Sequence, residues 1–131
     1  MVYWGHTEKG GERMEERGLH PAVTARLYTD RKCFGPGIAM LLRRVETHRS
    51  LRAAAMDMNM AYSKAWTILR EAEQGLGFKL LHSTTGGKNG GGAALTPEGA
   101  RMLAAYERFE AELKASAEAL FATHFHDFIG D

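Results

Sequence analysis

The sequence predicts a mainly α fold with a small β component (α+β): a cluster of three helices, a β-hairpin after it and one long closing helix. Three observations carry that expectation. Apolar side chains recur at helical spacing in successive segments between residues 38 and 72. The stretch Gly86-Gly87-Lys88-Asn89-Gly90-Gly91-Gly92 then places five glycines in seven residues between two apolar runs, which marks the tip of a hairpin rather than a core element. Finally, Thr96-Pro97-Glu98 opens a segment whose apolar residues are spaced four and three apart.

Residues 1–22 hold Gly5, Gly10, Gly11 and Gly18 among many charges, with no apolar period, and read as a flexible leader in which Tyr3 and Trp4 are unusual. From Val23 to Tyr28 the chain alternates, with Val23, Ala25 and Leu27 on one face and Thr24, Arg26 and Tyr28 on the other, which predicts a strand. A turn at Thr29-Asp30-Arg31 returns it through Lys32-Cys33-Phe34, making an N-terminal hairpin. Pro36 suits the start of a first helix, and Ile38, Leu41, Leu42 and Val45 form its apolar stripe, with Arg43, Arg44 and Glu46 off it.

Ser50 is a good cap for a second helix over Leu51 to about Asp57, whose Ala53-Ala54-Ala55 run lets a neighbouring helix approach closely. Asn59 tolerates the left-handed backbone that a tight interhelical turn requires. A third helix is expected from about Ala61 to Gln74, ending at Gly75 or Gly77, with Ala65, Ile68, Leu69 and Ala72 facing inward. Trp66 is expected to fill the seam between helices, as large aromatics usually do. The hairpin pairs Phe78-Lys79-Leu80-Leu81 with Ala93-Ala94-Leu95, and the last helix follows the threonine cap at Thr96. This order is the outline of a winged helix-turn-helix. The domain plan is a leader over 1–22, the winged helix-turn-helix over 23–95, a dimerisation helix over 96–123 and a tail over 124–131.

The overall charge of +1 conceals an asymmetry. Residues 23–92 carry eleven basic and five acidic side chains, a net +6, whereas residues 93–131 carry three basic and seven acidic, a net −4. Basic charge therefore gathers on the helix-turn-helix and its wing, as expected of a module that faces phosphates. One cysteine, Cys33, excludes an intramolecular disulfide and fits a reducing compartment. With neither a membrane-length apolar run nor a signal-type N-terminus, a cytoplasmic location without membrane contact is expected.

The third helix would enter the major groove, about 12 Å wide, with its N-terminal residues at base edges and nearby cations on phosphates. Tyr62, Ser63, Lys64 and Thr67 have the hydroxyl and ammonium chemistry for that work, and Ser50, Arg52 and Arg70 flank them. In the wing, Thr84, Thr85, Lys88 and Asn89 suit phosphate or minor-groove contact. A nucleotide-binding phosphate loop is excluded, because the motif would need glycine at His82 and a hydroxyl at Asn89. His124-x-His126-Asp127 lacks companion ligands, so no metal or other cofactor is expected; with no catalytic constellation either, neither is an enzyme.

Four segments together resemble the N-terminal DNA-binding domain of the ModE family, relatives of the LysR-type winged helix: Phe34-Gly35-Pro36-Gly37, Ala61-Tyr62-Ser63-Lys64-Ala65-Trp66, Thr84-Thr85-Gly86-Gly87-Lys88-Asn89-Gly90-Gly91-Gly92-Ala93 and Leu95-Thr96-Pro97. The resemblance covers residues 23 to 120. It implies a molybdate-related transcriptional regulator that binds a partly palindromic operator on double-stranded DNA as a homodimer. Tyr62, Ser63, Lys64 and Thr67 would read the groove, and Lys88 with its neighbours would form the wing contact. Ala61 departs from a capping serine usual in the family, and Asn59 from a glycine. ModE sensors continue into paired molybdate-binding domains, so a short stand-alone member is expected here, with any oxyanion sensor on a separate protein.

Dimerisation is expected along the last helix, where Met102, Tyr106, Phe109, Leu113, Ser116 and Leu120 make a heptad-like seam. The alternative to a DNA-binding regulator is a winged-helix module that captures a protein partner without specific DNA binding.

Overall fold

A computed structural model describes residues 18–84 and 92–129. The chain divides into two compact units, one being Thr24–Glu110 and the other formed by the segments up to Val23 and from Ala111 onward. In order the elements are β1 (Leu27–Tyr28), β2 (Lys32–Phe34), α1 (Pro36–His48), α2 (Leu51–Asp57), α3 (Tyr62–Leu76), β3 (Leu81–Thr84), β4 (Gly92–Leu95) and α4 (Pro97–His124), with a short 3-10 turn at His126–Phe128. The α+β winged-helix class is the one observed: helices dominate, beside two antiparallel two-stranded sheets, β1–β2 and β3–β4.

The helix boundaries follow local chemistry. Proline stands in the first turn of α1, and Arg49 closes that helix with φ 58°. The Ser50 side chain accepts a hydrogen bond from the Ala53 N–H at 3.0 Å, capping α2 where the sequence predicts. Asn59 has φ 55°, the left-handed conformation that reverses the chain between α2 and α3. Helix α3 runs through Gly75 and ends at Gly77, with φ 86°. Gly75 lies so close to the Cys33 sulfur that a side chain there would displace the first hairpin.

That hairpin is shorter than expected. Ala25 is buried while Thr24, Arg26 and Tyr28 are exposed, so the predicted alternation holds. Only Leu27 and Tyr28 find ladder partners, because β2 is three residues long.

The Thr24–Glu110 core gathers Phe34, Leu41, Leu42, Val45, Ala54, Ala55, Ala65, Leu69, Leu80, Leu103 and Tyr106, all nearly inaccessible. Each large side chain contributes roughly 1.5–3 kcal/mol on burial. Tyr106 packs on Phe34 with ring centroids 5.1 Å apart and donates its hydroxyl to the Ala25 carbonyl at 2.8 Å. Its expected place on a dimer seam is therefore corrected: the side chain is spent inside its own fold. Burial and the neighbouring Glu110 carboxylate hold the Tyr106 phenol above its ordinary pKa.

The root of the second hairpin is fastened from two sides. Leu80 and Leu81 donate their N–H groups to the Glu73 carboxylate of α3 at 2.7 and 3.3 Å. Thr96 donates its hydroxyl to the Lys79 carbonyl at 2.6 Å and its N–H to the Leu80 carbonyl at 2.9 Å, while its hydroxyl oxygen caps α4 by accepting from Gly99. These bonds explain why β3 begins at Leu81, three residues later than the apolar run: the polar groups of 79–80 are already engaged.

The other unit carries the end of α4. There Phe121 stacks on Phe125 at 5.1 Å, and Phe125 meets Phe128 at 6.1 Å. Among the described residues no helix is long and apolar enough to cross a membrane.

Candidate nucleic-acid interface

Helices α2 and α3 form the helix-turn-helix, and small side chains set their separation. Ala54 and Ala55 of α2 and Ala65 of α3 are fully buried, so the helices meet without a large residue between them. Trp66 is consequently expelled: it is exposed, and its expected place in the core is corrected. No space for an indole remains in a seam lined by methyl groups.

At 3.6 residues per turn, α3 presents three adjoining surfaces around its buried stripe of Ala65, Leu69 and Ala72, which share residues at their edges. Ser63, Thr67 and Arg70 are exposed on the outer side. Tyr62, Trp66, Leu69 and Glu73 wall a cleft of about 460 Å³ shared with Leu51 and with Leu81, His82, Ser83, Gly92 and Ala93 of the hairpin. Lys64, Thr67, Ile68 and Glu71 wall a second cleft toward the first hairpin and the start of α1.

Aromatic and cationic groups organise the N-terminal half of α3. The Arg52 guanidinium of α2 lies 4.1 Å from the centre of the Tyr62 ring. Tyr62 meets Trp66 edge-on at 6.3 Å, and Arg70 lies 5.4 Å from the Trp66 ring. Arg52, Tyr62, Trp66 and Arg70 thus form one continuous stack. Each cation–ring contact is worth about 0.5–1 kcal/mol at an exposed site, enough to hold both guanidinium groups in preferred positions. The signal in the sequence is the i, i+4 spacing of Tyr62, Trp66 and Arg70, with Arg52 across the turn; a core position for Trp66 is incompatible with it.

Other candidates are partly engaged. The Ser50 oxygen caps α2 and the Thr67 hydroxyl donates to the Ser63 carbonyl at 3.1 Å. Thr84 pairs with Gly92 at the last described rung of the hairpin, whereas Thr85, Lys88 and Asn89 lie outside the described residues. Position 93 is secured by its N–H bond to the Arg49 carbonyl at 3.1 Å, which ties the wing to the α1–α2 corner.

The basic charges counted from sequence are not equally available. Arg43 donates to Glu107 of α4 at 3.0 Å and also pairs with Glu46, a network that raises its pKa above the already high ordinary value. Arg44 is paired with Asp57 at 2.8 Å, and His48 lies 3.3 Å from the same carboxylate. The hydrogen bond from His48, then that from Arg44, holds the Asp57 carboxyl below the usual carboxylate range. Among the described residues, no ion pair engages Arg26, Lys32, Arg52, Lys64 or Arg70, all of them exposed.

Residues 39–100 match the family described as bacterial regulatory helix-turn-helix protein, lysR family. The chain is similar to the molybdenum-pterin-binding protein MopB of Rhodobacter capsulatus, 37% identical over 71 residues that cover 54% of this chain and 26% of that protein. It is 36% identical over 75 residues to the transcriptional regulator ModE of Haemophilus influenzae, covering 57% and 29% of the two chains. To the DNA-binding transcriptional dual regulator ModE of Escherichia coli it is 36% identical over 67 residues, covering 51% and 26%. The chain thus spans little more than a quarter of the length of these relatives.

Proposed function

We propose that residues 39–100, which match the lysR-family helix-turn-helix and are similar to the ModE regulators, form a ModE-like DNA-binding domain, and that the chain is a sequence-specific, DNA-binding transcription regulator without enzymatic activity. The observation that carries the reading is the exposed face of α3. It presents Ser63, Thr67 and Arg70 outward, flanked by Lys64 and by the stack of Arg52, Tyr62, Trp66 and Arg70. Arg70 can address guanine, the hydroxyls of Ser63 and Thr67 can address either purine or pyrimidine, and Lys64 and Arg52 can meet phosphates. Thr85, Lys88 and Asn89 supply the wing contact, with Thr84 at its root.

The protein acts as a homodimer in the cytoplasm. Met102, Phe109, Leu113 and Leu120 supply the contacts between copies after Tyr106 is withdrawn from the seam, Phe109 and Leu120 being exposed. A two-fold dimer of this kind reads two half-sites about one helical turn apart, or a multiple of it.

In vitro selection of random duplex DNA on the purified protein tests the reading. An enriched inverted repeat is expected; absence of any enrichment above random duplex would refute it and favour capture of a protein partner. Because the relatives' names connect them with molybdenum, the selection is run with and without molybdate, and a change in enrichment would place an oxyanion response in this chain.

A further inference from the structure

We propose that Arg26 and Lys32 of the first hairpin, together with Lys64 of α3, form a second DNA-backbone clamp, on the side of the recognition helix opposite the wing. The inference rests on the DNA-binding reading above and deepens it. A helix seated in the major groove has a sugar–phosphate strand on each side. Residues 62, 66, 69 and 73 of α3 face the wing-side cleft, and residues 64, 67, 68 and 71 face the opposite one. In that placement the wing, on one side of α3, would meet one of these strands. The other strand would lie over the second cleft, about 480 Å³ in volume, open to solvent and lined by Arg26, Lys32 and Lys64.

The chemistry of that cleft suits phosphate. Its three cations are exposed, and among the described residues none is held by an ion pair. Glu71 is the only carboxylate among its lining residues. The stem of Arg26 lies across Gly35, its Cγ 3.4 Å from where a side chain on that glycine would begin, which seats Arg26 in the lining of the cleft; its charge also acts on Tyr106. The first turn of α1, on the far wall of the cleft, has no acidic residue.

The test compares wild type with the double variant Arg26→Gln/Lys32→Gln by fluorescence anisotropy on a random duplex of about 30 base pairs, roughly three helical turns, across a salt series. Each phosphate contact contributes about 0.9 to the slope of log K against log salt. Two lost contacts should flatten the slope by about 1.8 and weaken binding roughly 60-fold at ~0.1 M salt. The exchange Arg26→Lys/Lys32→Arg should keep the wild-type slope, separating charge from any packing change, and thermal unfolding checks that the glutamine variant is folded. A double glutamine variant with the wild-type slope, while wild type binds and Arg52→Ala weakens it, would overturn the clamp and leave the DNA reading standing. Failure of wild type itself to bind duplex would overturn both.

Discussion

Two helical glycines should respond to alanine with opposite signs, and the difference measures how closely α4 is pressed onto the wing. Gly99 is buried in the first turn of α4, where an added Cβ would lie 3.1 Å from both the Cα and the carbonyl carbon of Leu80 and closer still to its oxygen. Ordinary contact needs several tenths of an ångström more, and the obstacle is backbone, which cannot swing aside. The helix start must retreat, at an overpacking cost of roughly 1–3 kcal/mol. Retreat also weakens the bonds from Thr96 to the Leu80 and Lys79 carbonyls, at 2.9 and 2.6 Å, worth about 1 kcal/mol each. The better helix propensity of alanine returns about 1 kcal/mol at most. Gly99→Ala should therefore lose about 2–3 kcal/mol. Gly37, in the first turn of α1, has nothing within 4 Å of its added Cβ and no positive φ. Gly37→Ala should gain about 0.4–1 kcal/mol by restricting the unfolded chain. Urea unfolding of the three proteins reads both values. If Gly99→Ala were as stable as wild type or more so, propensity would be the governing effect and the close approach to Leu80 would be wrong.

Three further outcomes are expected. Trp66→Ala should weaken binding to a selected duplex about 10-fold, or 1.4 kcal/mol, while changing unfolding stability by less than about 1 kcal/mol; a loss of 3–5 kcal/mol, the cost of emptying a core tryptophan site, would contradict its exposure. Tyr106→Phe should cost about 1–2 kcal/mol by leaving the Ala25 carbonyl unpaired. The raised folded-state pKa of Tyr106 means that its contribution is complete below the unfolded phenol pKa near 10 and falls as pH rises through the folded value, so wild type and Tyr106→Phe should converge in stability at alkaline pH in urea melts. Asp57 has the opposite sign: its depressed pKa gives stability present above about pH 4 and lost as pH falls through the folded value, so thermal melts of Asp57→Asn and wild type should differ at neutral pH and approach each other in acid.

Local signals made the helical framework readable. Ser50, Asn59 and the Thr96-Pro97 pair act through bonds or dihedrals within a few residues, so their positions in the chain already located α2, the turn and α4. Trp66 was not readable in that way. Its fate depends on whether the facing helix leaves a hole, and Ala54 and Ala55, twelve and eleven residues upstream, close it. Tyr106 belongs to both an apolar period and a long-range contact; only the fold reveals Ala25, 81 residues away, as the acceptor of its hydroxyl. Glu73 carries no motif at all, yet its side chain, only 11% exposed, anchors two N–H groups of the wing root. Of the proposed interface, the α3 residues were legible because they share one helix. The pairing of Arg26 and Lys32 with Lys64 was not, since it depends on how the first hairpin packs on α3.

Because one carboxylate, Glu73, joins α3 to the strand that leads into the wing, the span between the helix and the hairpin root is set by the protein before any duplex arrives. In the proposed complex the protein then behaves as a caliper of fixed opening. A duplex whose groove does not match must bend or narrow to be gripped, and the work of doing so depends on base steps that no side chain touches. Discrimination would extend, through DNA stiffness, to sequence positions beyond the reach of α3.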